Sequence, residues 1–84
     1  MKYNIEVKPS VVKTLEKVPR EDQIKISKTI KSLADNPRPP TCRKLADSTY
    51  YRIPCGRYRI IYEIQDQLLI IVVLKVGHRK DVYR

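Results

Sequence analysis

Three groups of side chains in the second half of the chain have types suited to chemistry on a phosphodiester. After a long apolar run, Val76-Gly77-His78-Arg79-Lys80-Asp81-Val82-Tyr83-Arg84 offers an imidazole, a guanidinium and a phenol, His78 to Tyr83, within six positions. Arg57 and Arg59 alternate with tyrosine and isoleucine in Arg57-Tyr58-Arg59-Ile60-Ile61-Tyr62-Glu63-Ile64, and Arg52 lies between Tyr51 and Ile53. Attack by a ribose 2′-hydroxyl on the adjacent phosphate needs a proton acceptor, a stabiliser for charge on the phosphorane and a proton donor for the leaving 5′-oxygen. Arg59 and Arg79 suit the stabilising role, because a guanidinium grips phosphate as a planar fork. His78 is the one side chain whose ordinary pKa lies near neutrality, and Tyr83 could move protons if neighbouring arginines lower its pKa. The structural alternative is a His78 that caps a strand and a Tyr83 that packs as a lid.

The overall charge agrees with an anionic target. Eighteen Lys and Arg against nine Asp and Glu give a net charge of +9, which selects RNA, DNA, an anionic membrane or an acidic protein as partner. The first 42 residues hold seven Lys and two Arg; the rest hold three Lys and six Arg, with five of the six tyrosines. Arginine and tyrosine are the residues that clamp phosphate and stack on bases, so the second half is expected to do the work. Cys42 and Cys55 form no C-x-x-C or Cys/His spacing and there is one histidine. Neither a metal site nor a cofactor is therefore expected.

These residues need elements to position them. Tyr3, Ile5 and Val7 alternate with polar residues over Lys2 to Val7, the period of a half-buried strand. Pro9-Ser10 opens a short helix with Val11, Val12, Leu15 and Val18 on its inner stripe, ending before Pro19. A second helix follows, with Glu21 and Asp22 in its first turn, Ile26, Ile30 and Leu33 as its buried stripe, and Asp35-Asn36-Pro37 as its stop. Three prolines in Asn36 to Pro40 force an extended connector, with a brief edge strand near Arg43 to Leu45. Tyr50 to Ile53, Arg57 to Ile64 and Leu68 to Val76 read as three strands joined by Pro54-Cys55-Gly56 and Gln65-Asp66-Gln67. The last is apolar on both faces, which predicts a central position with both faces covered.

The expectation is one domain over residues 1–84 of α+β class, in the order β-α-α-β-β-β. A helical hairpin would pack on one face of a twisted, mostly antiparallel sheet. Alternation predicts Tyr58, Ile60, Tyr62 and Ile64 on the core side, with Arg57, Arg59, Ile61 and Glu63 on the other, joined by Arg52 from the preceding strand. No run approaches the ~20 apolar residues of a membrane span, and Met-Lys-Tyr-Asn-Ile-Glu does not begin a signal peptide, so a cytoplasmic protein without membrane contact is expected.

Tyr51-Arg52-Ile53, Gly56-Arg57-Tyr58-Arg59-Ile60-Ile61-Tyr62-Glu63-Ile64, Val73-Leu74-Lys75-Val76-Gly77-His78-Arg79 and Val82-Tyr83 together resemble the RelE-type toxins of the RelE/ParE superfamily of toxin–antitoxin pairs. The resemblance covers essentially the full length. It implies a RelE-like fold and a metal-independent, ribosome-dependent endoribonuclease, an mRNA interferase that cuts mRNA in the ribosomal A site and so inhibits translation. Its partners would be the ribosome, mRNA and a cognate antitoxin. On that resemblance Arg59 stabilises the transition-state phosphate, Arg79 matches the arginine after the central strand, Tyr83 stacks on or orients the nucleotide and Arg52 matches a basic residue of the preceding strand; strand alternation adds Arg57 as a substrate contact, and proton abstraction falls to His78, to Tyr83 or to the substrate. Arg52 and Pro54 stand where better-known members carry lysines, which leaves the general base open, because arginine is a poor one. Two other readings stay in view: a ParE-like inhibitor of DNA gyrase that cleaves nothing, and a noncatalytic RNA- or ribosome-binding module.

Overall fold

A computed structural model describes residues 2–78. The chain runs β1 (Asn4–Val7), α1 (Pro9–Glu16), α2 (Arg20–Leu33), β2 (Arg43–Lys44), β3 (Tyr50–Cys55), β4 (Tyr58–Gln65), a single 3-10 turn (Asp66–Leu68) and β5 (Ile70–His78). The sheet order is β1-β5-β4-β3-β2, with β1 parallel to β5 and the other pairs antiparallel. This is the expected α+β arrangement. β5 lies beside β4 on one side and β1 on the other, as its apolar composition requires.

Pro9 occupies the first turn of α1, where its missing N–H costs nothing. At the far end Gln23 Nε2 donates to the carbonyls of Leu15 (2.7 Å) and Val18 (2.8 Å), so a side chain near the start of α2 bonds the end of α1 and the link after it. That contact fixes the helical hairpin. Ile26, Ile30 and Leu33 of α2 are buried with Val11 and Val18 against Ile53, Ile60, Tyr62, Ile64, Ile71, Val73 and Val76 of the sheet. Val12, expected on the inner stripe of α1, is instead 48% exposed, because the eight-residue helix presents only Val11 fully to the core.

Three boundaries shift. The β3–β4 hairpin turns on Gly56-Arg57 rather than on Pro54-Cys55-Gly56: β3 continues through Cys55, which pairs with Tyr58. Gly56 has φ +60°, the conformation that a two-residue hairpin turn of the primed type asks of its first central residue. Pro54 fits inside β3 because β2 pairs only with Tyr51 and Arg52, which leaves Pro54 on a free edge. β5 begins at Ile70 and runs to His78, so His78 ends a strand instead of following one. The expectation that both faces of β5 are covered does not hold among the described residues. Among the described residues the helices pack on one face, and Val72 on the other is half-buried. Among the described residues no helix is long and apolar enough to cross a membrane.

Candidate active site on the open face of the sheet

The helix-free face of the sheet is organised in rows set by strand register, since paired residues point the same way. Pro54, Arg59 and Gly77 form one row across β3, β4 and β5. The next contains Arg43, Arg52, Ile61 and Lys75, from β2 to β5. A third contains Tyr50, Glu63, Val72 and Glu6. Arg52 and Lys75 each stand one diagonal step from Arg59, on opposite flanks, a backbone separation of about 7–8 Å. Gly77, paired with Arg59, sets no side chain beside it. Arg59 itself is half-buried and its Nη1 donates to the Tyr58 carbonyl at 3.0 Å.

Two acids share this face, Glu63 on β4 and Glu6 on the β1 edge. Glu63 accepts hydrogen bonds from Thr49 Oγ1 (2.8 Å) and Gln65 Nε2 (3.0 Å), and these hold its carboxyl below the usual carboxylate range. The face is thus polarised, with cations at the hairpin end and a committed carboxylate at the other. A phosphodiester has the size and charge to rest across Arg52, Arg59 and Lys75.

The sequence-predicted residues do not all gather there. Arg52 and Arg59 share the face, as alternation foretold. Arg57 does not: it occupies the hairpin turn, and its Nη2 lies 3.5 Å from Asp22 Oδ2 in the first turn of α2, on the helix side. Strand alternation starts at Tyr58, so it never governed Arg57. His78 pairs with Tyr58, and the two rings meet edge to face, centroids 5.8 Å apart and planes at 71°, on the helix-bearing face. The register therefore brings Gly77 to Arg59 and turns His78 away from it. Arg79 and Tyr83 lie outside the described residues. Two cations of the face, Arg43 and Lys75, were missed from sequence. Arg43 donates to the Pro40 (3.2 Å) and Cys42 (3.1 Å) carbonyls, which anchors it at the sheet edge. Among the described residues no three His, Cys, Asp or Glu side chains gather as a metal-ligand set.

A second polar cluster closes the opposite end of the sheet. Tyr3 Oη donates to Asp66 Oδ1 (2.6 Å), Arg38 grips both oxygens of Asp66 (2.8 and 3.3 Å), and Arg38 Nε donates to Tyr51 Oη (3.1 Å). Tyr51 stacks on Tyr62 at 5.8 Å, and Tyr62 Oη donates to the Pro37 carbonyl (2.7 Å). Hydrogen bonds from Arg38 and Tyr3 hold the Asp66 carboxyl below its ordinary range, and burial pushes the Tyr62 phenol up. These contacts tie the proline-rich connector to the sheet.

A basic α+β chain with a cationic sheet face has the build of a protein that acts on polyanions, and comparison with known proteins narrows the class. The family described as the ParE toxin of the type II toxin–antitoxin system parDE matches residues 5–83. The chain belongs to the RelE/ParE superfamily of type II toxin–antitoxin toxins. It is 30% identical to a RelE-like toxin protein of Escherichia coli over 99% of this chain and 92% of that one. It is also 30% identical to toxin RelE1 of Methanocaldococcus jannaschii over 100% of this chain and 98% of that one. Among solved structures, the archaeal RelE–RelB complex from Pyrococcus horikoshii matches with a TM-score of 0.87 and 26% identity, covering 98% of this chain and 100% of the matched one.

Proposed function

We propose that this toxin is an endoribonuclease that cuts mRNA in the ribosomal A site by 2′-hydroxyl attack, needs no metal, and so stops translation. The observation that carries the reading is that Arg52 and Arg59 share the face of the sheet opposite the helices. In this reading Arg59 binds the non-bridging oxygens of the scissile phosphate and stabilises charge as the phosphorane forms. Arg52 holds the substrate backbone from β3, and Arg79 and Tyr83 complete the site, Arg79 beside the phosphate and Tyr83 against the nucleotide. A site without a strong base gains most from a substrate held in line, which the ribosome would supply by fixing the mRNA codon. A cognate antitoxin, acidic or apolar where it meets the polarised face, would silence the toxin, as the relative from Pyrococcus horikoshii is found with RelB. The protein would act in the cytoplasm, where its ribosomal substrate is.

The test is primer extension on mRNA from cells expressing the intact protein: new 5′ ends inside codons are expected. A second reading has a specific point in its favour, since the matching family is named for ParE. A ParE-like toxin would block gyrase and leave mRNA whole, so a supercoiling assay beside the primer extension separates the two. A noncatalytic RNA- or ribosome-binding module would leave both mRNA and gyrase untouched.

A further inference from the structure

On the nuclease reading, the leaving 5′-oxygen needs a proton donor, and among the described residues of the face that carries Arg52 and Arg59 the arginines do not supply one. Guanidinium groups do not release protons at physiological pH, and His78 packs against Tyr58 on the opposite face. The geometry points to Lys75 as that source, a proton donor aimed onto the face by a bulge in β5; the inference rests on the nuclease reading.

The first observation is the phase of β5. Ile71 and Val73 are buried against the helices, so unbroken alternation would carry Lys75 to the same buried side. Instead the register passes from Tyr62 opposite Val73 to Ile61 opposite Lys75. Leu74 is the extra residue, Val76 takes the next buried place, and Lys75 is left exposed on the open face. Bulges concentrate beside active sites because they re-aim one side chain without rebuilding the sheet. This one sits where the sheet can absorb it: the β1 ladder ends at Val7 opposite Val73, and Lys8 N donates to the Val73 carbonyl at 3.2 Å. Beyond that point no described strand pairs with the outer edge of β5.

The second observation is where this leaves the ammonium. Lys75 and Arg52 pair with Ile61 from either side, so each stands diagonally from Arg59, Lys75 on the β5 flank and Arg52 on the β3 flank. A phosphate held by Arg59 would then have Arg52 on one side and Lys75 on the other. In-line displacement places the attacking and leaving oxygens on opposite sides of phosphorus, so one flank meets the leaving oxygen. No described carboxylate forms a salt bridge with Lys75. It is also the one ammonium among the guanidinium groups of the two cationic rows, and an ammonium, unlike a guanidinium, can give a proton up.

In the step, the ribose 2′-oxygen forms a bond to phosphorus and loses its proton to water. The bond from phosphorus to the 5′-oxygen breaks, and that oxygen takes a proton from the Lys75 ammonium. The products are a 2′,3′-cyclic phosphate, a 5′-hydroxyl and a neutral amine that regains its proton from solvent.

The experiment is single-turnover cleavage of mRNA on programmed ribosomes by the full chain and two variants, Lys75→Met and Lys75→Arg. The substrates carry either the natural scissile 5′-oxygen or a sulfur in its place, because a thiolate leaves without needing a proton. Both variants are expected to cut the oxygen substrate at least about 100-fold more slowly and the sulfur substrate at close to the wild-type rate, with unchanged Tm. Lys75→Met at full rate on oxygen, Lys75→Arg restoring full rate, or no recovery with sulfur would each overturn the assignment. A wild-type protein that cuts neither substrate would instead remove the nuclease reading itself.

Discussion

Arg59 is the residue on which the chemistry depends most. Removing one preorganised charge stabiliser typically costs about 10²–10³ in rate. Arg59→Ala is therefore expected to lower single-turnover cleavage of ribosome-bound mRNA by that factor, with far-UV circular dichroism unchanged because the side chain lies outside the core. His78 is expected to behave differently. His78→Ala loses an edge-on contact with Tyr58 on the far face and should keep cleavage within about tenfold of wild type, well short of a general acid's usual contribution. Arg52 and Arg59 were legible in the sequence because period-2 alternation holds through β3 and β4. Lys75 was not, because a bulge resets the phase after Val73 and nothing in Val-Val-Leu-Lys-Val announces it. Arg57 was misplaced for a related reason: alternation was extended one residue too far, into a turn that Gly56 had already begun.

Among the elements, the connector between α2 and β2 carries the clearest pH signature. Its contacts reach the sheet through Asp66, which Arg38 and Tyr3 keep ionised below the ordinary carboxylate range, and Glu63 is held similarly by Gln65 and Thr49. A depressed carboxyl contributes stability that is present above the unfolded-state value of about 4 and is lost as pH falls through the lower folded value. Tm should therefore hold steady from neutrality to about pH 5 and fall below about pH 4, and Asp66→Asn should shrink that fall; an Asp66→Asn protein with an undiminished acid drop would contradict it. In the same connector, Tyr62→Phe leaves the Pro37 carbonyl without its donor and should cost about 1–3 kcal/mol by urea denaturation. The helical hairpin and the strand sequence were readable from spacing and from Pro9, Pro19 and Pro37. The tie between Tyr3, Asp66 and Arg38 was not, because it joins residues 28 to 63 positions apart that no local pattern relates.

At the scale of the whole molecule, a single core closed by two short helices leaves little surplus stability. Leu33→Ala, at a fully buried position, should cost about 2–5 kcal/mol and leave a protein unfolded near physiological temperature. The positive charge acts over the same scale: binding to single-stranded RNA should weaken with salt at a slope of about 0.7 per phosphate contacted. Arg52→Ala should reduce that slope by about one contact. The most direct measurement is primer extension on mRNA from cells expressing the wild-type protein or Arg59→Ala, with translation followed in parallel. The account predicts 5′ ends inside codons and arrested synthesis for wild type, and neither for Arg59→Ala. Arrest by both proteins with the mRNA intact would contradict it.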